Sequence, residues 1–291
     1  MLLLGCRTRE KWKGHVHKIL GGAGLGAGIR PGVRPFRGGD TPCLEIRGAE
    51  PDPVIVDCGS GMRRLGNYLL QEGPARVHLF LTHTHWDHIL GFPFFKPLFE
   101  SDTEILLYGF PRWQGDTHKL LLNVFCAPHF PVPPRALKAR IRYVECSGTV
   151  TLPGISVQAV PLSHPNVGVG YSFKEKNKRF VFLTDNELGY RHRGGLDRAG
   201  YSEFCTKASL LVHDSEYMEE DYARTWGHSK FTDAVRLAAD AGVERLGLFH
   251  HSQDRVDEEI LRMQDLARER LAGLGSEAGC FAVYQDQEIR L

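Results

Sequence analysis

Four metal-binding side chains crowd into the run Thr82-His83-Thr84-His85-Trp86-Asp87-His88. Imidazole and carboxylate suit zinc and similar divalent ions, and such short spacing lets one loop supply several ligands to a compact site. Four ligands are too many for one catalytic ion that must also keep a position open for water. The economical reading is two ions, one on His83 and His85 and the other on Asp87 and His88. Three further pairs of interest close apolar runs elsewhere: Ser163-His164, Thr184-Asp185 and His250-His251.

Positioning these groups falls to short apolar runs that read as buried strands: Val54–Val56, Val77–Leu81, Ile105–Tyr108, Ile155–Val160, Phe180–Leu183, Leu210–Val212 and Leu246–Phe249. Four of them deliver His or Asp at their C-terminal ends, where α/β proteins commonly collect their chemistry. Phe231, Ala234, Val235, Ala238 and Ala241 have helical spacing, with Ser229 as the expected cap and Gly242 as the stop. A second helix is expected from about Asp257 to Leu271, with Ile260, Met263, Ala267 and Leu271 on one face. A first strand near Val16–Leu20 precedes a glycine-rich loop, Gly21–Gly39. Strands outnumber helices and both recur throughout, which predicts an α/β chain of sheets covered by helices. The expected organisation is a poorly constrained N-terminal extension over residues 1–14 and a single domain over residues 15–291.

The His83-x-His85-x-Asp87-His88 run resembles the HxHxDH hallmark of the metallo-β-lactamase superfamily, and Asp57-Cys58-Gly59-Ser60-Gly61 resembles its D-x-G-x-G turn. The resemblance implies a four-layer αββα sandwich, two mixed β-sheets flanked by helices. It also implies a dinuclear metal site. His164 in Ser-His-Pro would join His83 and His85 on the first ion, and Asp185 in Leu-Thr-Asp would bridge both. His250 would join Asp87 and His88 on the second. The last ligand directly follows its strand in related sequences, which favours His250 over His251. Zinc comes first among the expected ions, with manganese or iron(II) as alternatives, since these donors accept all three.

Three features lean toward phosphodiesters within that superfamily. Asp185 stands where many β-lactamase relatives carry Cys, and His85 stands where the redox di-iron branch has Glu. Trp226-Gly227-His228-Ser229 resembles the Gly/Ala-His-Ser/Thr motif of the RNase Z and cyclic-phosphodiesterase branch, where that His faces the scissile phosphate. Two divalent ions against two carboxylates and a hydroxide leave one net positive charge, which a phosphodiester's single negative charge matches. A carboxylate would fit as well, so a thioesterase or lactonase of the same fold is the alternative, as is an RNase Z-like ribonuclease. Phe130-Pro131-Val132-Pro133 resembles a segment of small cyclic-phosphodiesterase-like enzymes, and no basic inserted arm of the RNase Z kind is evident. A hydroxide held by both ions is expected to attack phosphorus, with Asp87 orienting it. His228 is expected to bond the phosphoryl oxygen or protonate the leaving group. His213, Asp214 and His251 could support the ligands from behind, and Trp86, His129 and Phe130 could contact substrate.

Composition fits this reading. A chain of 291 residues, 42% hydrophobic and 24% charged, has ample material for a core, and its net charge of +1 gives no global pull toward nucleic acid or an anionic membrane. The seven cysteines include no CxxC pair, which suits buried, reduced thiols and a soluble cytoplasmic protein. The expected partner is a small phosphodiester substrate, with no membrane and no strong nucleic-acid surface; a homodimer is an expectation of the family alone.

Overall fold

In the computed structural model, the apolar runs pair into two seven-stranded mixed sheets with helices on their outer faces. The structure describes residues 38–73 and 76–291 together with the strand Val16–Ile19. The extension over residues 1–14 and most of the Gly21–Gly39 loop lie outside the described residues.

The first sheet contains β1 (Val16–Ile19), β2 (Leu44–Arg47), β3 (Val54–Val56), β4 (Arg76–Phe80), β5 (Glu104–Gly109), β6 (Arg140–Glu145) and the last strand of the chain, β14 (Gln287–Arg290). Helix α1 (Gly61–Glu72) and the short α2 (Trp86–Ile89), α3 (Pro111–Gln114) and α4 (Thr117–Leu122) accompany it. Its strand order is β14-β1-β2-β3-β4-β5-β6. The second sheet contains β7 (Val150–Leu152), β8 (Ile155–Pro161), β9 (Val169–Glu175), β10 (Lys178–Leu183), β11 (Leu210–Asp214), β12 (Arg245–Phe249) and β13 (Gly279–Ala282), in the order β13-β12-β11-β10-β9-β8-β7. It is covered by α5 (Arg198–Cys205), α6 (Phe231–Ala241) and α7 (Asp257–Gly273).

The strands read as continuous apolar runs because both faces are buried. In β10, Phe180 and Phe182 enter the core between the sheets, while Val181 and Leu183 face the helices. In β4, Phe80 takes the inter-sheet side, and Val77 and Leu79 pack on the other with Met62, Leu65 and Leu69 of α1. The inter-sheet core is aromatic: Phe80 stacks on Tyr108 at 4.5 Å and meets Tyr171 and Phe173 edge-on.

Strands β3 to β6 run parallel, as do β10 to β13, and β8 shares their direction through two antiparallel pairings with β9. The C-terminal ends of β8, β10, β11 and β12 therefore meet at one edge of the second sheet. The chain leaves β3, β10 and β12 through left-handed backbone at a non-glycine residue: Asp57 (φ 66), Asp185 (φ 49) and His250 (φ 59). Such conformations cost about 1–3 kcal/mol and persist where the surroundings over-determine them.

Helices α6 and α7 occupy their expected positions, and Gly242 closes α6 in the left-handed conformation. The expected cap is corrected: Lys230 occupies the N-cap position of α6, and its side chain makes no capping bond. The Ser229 hydroxyl is committed elsewhere, donating to Asn186 O and accepting from Leu188 N. Of the described cysteines, five are buried as expected, but Cys126 is exposed. No helix among the described residues is long and apolar enough to cross a membrane.

Candidate metal centre

The tight turn after β4 places His83 and His85 beside Asp87 and His88, which form the first turn of α2. The second sheet supplies His164 after β8, Asp185 after β10 and His250 after β12. Together they make two clusters sharing one carboxylate: His83, His85, His164 and Asp185; and Asp87, His88, Asp185 and His250. Within each, the candidate ligand atoms all lie within 4.8 Å of one another. His251 is buried next door but joins neither cluster.

Hydrogen bonds made on the outward side fix which nitrogen faces inward. His88 Nδ1 donates to Asp57 Oδ2 at 2.8 Å, and His164 Nδ1 donates to Gly227 O at 3.0 Å. His250 Nδ1 donates to Glu216 Oε2 at 3.3 Å. Thr82 Oγ1 donates to Asp57 Oδ2 at 2.8 Å, so it can accept from His83 Nδ1 at 3.1 Å. In all four rings Nε2 is the nitrogen turned inward, and its lone pair is open to a metal ion whenever it carries no proton. His88 Nε2 stands 3.2 Å from Asp87 Oδ2 and 3.3 Å from Asp185 Oδ1. His250 Nε2 stands 3.3 Å from Asp87 Oδ2 and 3.4 Å from Asp185 Oδ1. His164 Nε2 and His85 Nδ1 are 3.1 Å apart.

Lone pairs facing carboxylate oxygens repel unless a cation lies between them. Metal–ligand bonds of about 2.0–2.1 Å in tetrahedral geometry place donors about 3.3 Å apart, close to these separations. The inward nitrogens of His83 and His88 are buried with no hydrogen-bond partner, as metal ligands would be. The residues fit a pair of divalent ions. Burial pushes the imidazoles of His83, His85 and His164 down, His164 to about 4, which keeps them neutral. Burial acts the same way on His88 and His250, but the facing carboxylates of Asp87 and Asp185 outweigh it and raise both. The pocket draws positive charge.

Asp57, first residue of the D-x-G-x-G turn, is fully buried and also accepts from Thr82 N at 2.7 Å. It anchors His88 directly and His83 through Thr82. Gly59 lets this turn approach α2, since a Cβ there would stand 2.4 Å from Asp87 O.

His228 sits beside the second cluster, its ring stacked on His250 at 4.8 Å. Its Nδ1 donates to Asp214 Oδ2 at 2.6 Å and lies 3.4 Å from Glu216 Oε2. Burial disfavours a charged ring there, but Asp214 prevails and lifts its pKa to about 9. Asp214 also accepts from Ser229 N and, with His228, forms a third group with Asp185 and His250. His213 donates from Nδ1 to Asp214 O and accepts at Nε2 from Asn186.

Two carboxylates escaped sequence reasoning. Glu216 holds His250, and its spacing of two from Asp214 on an extended segment was the available signal. Buried Glu187 accepts from Thr225 N, Gly227 N, Tyr222 Oη and His192 Nε2, and so ties down the loop that carries His228. No motif marks it. Trp86 is 61% exposed beside the ligands, and His129 is exposed. Phe130 is half-buried and packs edge-on against Phe94 and Phe125.

The profile described as "Beta-lactamase superfamily domain" matches residues 53–251. Ribonuclease Z of Thermococcus gammatolerans is 26% identical over 274 residues, covering 78% of this chain and 82% of that protein. Ribonuclease Z of Halorubrum lacusprofundi is 30% identical over 251 residues, covering 70% and 78%. Among solved structures, a "New Diphosphatase from the PhnP Family" superposes with a TM-score of 0.68 at 18% identity, covering 95% of this chain and 98% of that one.

Proposed function

We propose that this chain, which belongs to the metallo-β-lactamase superfamily in its RNase Z-like branch and is a metal-dependent hydrolase of that fold, cleaves small or cyclic phosphodiesters. The observation that carries this reading is the Asp214–His228 pair set against the second cluster. The thiolate of a thioester leaves without demanding such a proton donor, whereas an alkoxide leaving from phosphorus needs one.

Divalent ions bound at the two clusters would supply Lewis acidity and bring the pKa of a water down toward about 7. The rest falls to the protein. His83, His85, His164 and the shared Asp185 would hold one ion, with Asp87, His88, Asp185 and His250 holding the other. Asp87, its Oδ2 at 3.2 Å from His88 Nε2 and 3.3 Å from His250 Nε2, would orient the attacking water. His228, its Nδ1–H fixed on Asp214, would carry a second proton on Nε2, the form that this carboxylate favours. It would pass this proton to the leaving oxygen as the P–O bond breaks. Glu187 keeps the loop 222–227 in place, so that His228 presents the same ring atom at every turnover.

The test compares leaving groups on metal-loaded protein. His228→Ala should lower kcat about 10²–10⁴-fold on a diester with an alkoxide leaving group. On bis-p-nitrophenyl phosphate the loss should be much smaller, because nitrophenolate departs without a proton. An equal effect on both substrates, or thioester turnover exceeding diester turnover, would defeat the proposal. The second reading, cleavage of precursor tRNA, is favoured by the curated relatives named ribonuclease Z. A processing assay on precursor tRNA decides between them. Among the described residues, the segment between β5 and β6 folds back on the first sheet, burying Leu121, Val124 and Phe125 there, which supports the small substrate.

A further inference from the structure

We infer that a cavity beside the metal centre is a second anion subsite, one that takes a terminal phosphate carried by the substrate. The inference rests on the phosphodiesterase reading and names its substrate class: a diester bearing an additional phosphomonoester, such as a 5′-phosphorylated dinucleotide.

The cavity has a volume of about 440 Å³ and is lined by Arg112, Trp113, His164, Asn166, His192 and Arg193, among others. That volume falls in the range of small-molecule sites. His164 is a wall of this cavity and also a member of the first metal cluster, so the two spaces share an imidazole. Three connections build it: the turn after β5, the loop after β8 and the loop after β10.

Its charge is one-sided. No carboxylate lines it, and it holds two guanidinium groups. Among the described residues neither Arg112 nor Arg193, both exposed, has a carboxylate within ion-pair distance. His192 is held from behind by Glu187 at 2.8 Å. Guanidinium groups without a protein anion at the wall of a cavity suit phosphate, which they grip through paired N–H donors.

The walls are also shaped. Trp113 is half-buried with its ring lying over Phe110 at 5.9 Å, which fixes one flat surface at the cavity edge. The loop over the opposite side passes through Asn166 (φ 66) and Val167 (φ 62). A β-branched residue in left-handed backbone is strained, and strain of this kind gathers at ligand clamps.

The experiment measures one ratio in each protein: kcat/KM for a diadenosine dinucleotide bearing a 5′-phosphate over kcat/KM for the same dinucleotide without it. Because both substrates see the same enzyme preparation, loss of folded protein cancels. Wild type should favour the phosphorylated form by roughly tenfold to a hundredfold, the contribution expected of charged hydrogen bonds. In the Arg112→Ala/Arg193→Ala variant the ratio should fall to near one, and Arg193→Lys should recover part of it. A wild-type ratio near one, or a ratio unmoved by the double substitution, overturns the subsite. If metal-loaded wild type cleaves neither dinucleotide, the phosphodiesterase reading fails first. Calorimetry of the metal-free protein with adenosine 3′,5′-bisphosphate then judges the cavity alone: a dissociation constant that does not rise in the double variant removes it. If the variant loses activity on precursor tRNA while the dinucleotide ratio holds, the cavity grips an RNA backbone and the small-substrate assignment falls.

Discussion

Gly227→Ala isolates how the chain supports a single metal ligand. Gly227 lies at φ +97, and an added Cβ would stand 2.1 Å from His164 Nδ1 and 2.6 Å from Pro165 Cδ. Real Cβ contacts stay above 3.0 Å, so loop and ring must part by nearly an ångström. That movement breaks the 3.0 Å bond from His164 Nδ1 to Gly227 O, which fixes the imidazole's tautomer and direction. Losing such an outer partner typically weakens metal affinity 10–100-fold, about 1.4–2.7 kcal/mol. Left-handed backbone adds about 1–2 kcal/mol of strain at an alanine, which lowers stability. Gly242→Ala separates the two effects: its φ is +61 but nothing lies within 4 Å of the new Cβ. Competition titration of zinc against a chromophoric chelator should show one site weakened in Gly227→Ala and the other, on Asp87, His88, Asp185 and His250, little changed. Gly242→Ala should lose stability while keeping both affinities. Wild-type affinity at both sites in Gly227→Ala, or equal weakening in the two variants, would refute the reasoning.

Asp57→Asn should weaken the His88 site about 10–100-fold while the protein stays folded, because an amide has one acceptor oxygen where the carboxylate uses two, one for Thr82 N and the other for His88 Nδ1 and Thr82 Oγ1; chelator competition reads this directly. Phe80→Ala should cost about 3–5 kcal/mol in urea unfolding, since the ring is fully buried between the sheets against three other aromatic rings. His78, buried with Nδ1 at 2.8 Å from Tyr108 Oη, has its pKa lowered chiefly by burial. The unfolded ring titrates near 6.5 and takes up protons first, so its contribution to stability is whole above about pH 6.5 and declines as pH falls toward the lower folded value. Comparing unfolding free energies at several pH values, His78→Gln should show a shallower acid slope than wild type; identical slopes would count against the assignment.

The candidate metal cluster was legible because chemistry forces such residues into a pattern: a buried strand must end before polar ligands can begin. The strand cores also showed, since burial on both faces leaves runs such as Phe180–Leu183 with no polar residue. Supporting groups were harder to see. Glu187 acts on Thr225 and Gly227 far along the chain through hydrogen bonds that no local periodicity encodes. Ser229 had the right type for a helix cap, yet tertiary partners at Asn186 and Leu188 claimed its hydroxyl. The cavity of Arg112 and Arg193 is assembled from three loops distant in sequence, so neither arginine stands out when the chain is read alone.

The ligand atoms come from both sheets: His83, His85, Asp87 and His88 from one, His164, Asp185 and His250 from the other. A cation seated there is a rivet through the sandwich. An ion that binds only the native form, at a hundred times its dissociation constant, adds about 2.7 kcal/mol of stability. Metal supply would thus set the protein's resistance to unfolding as well as its turnover.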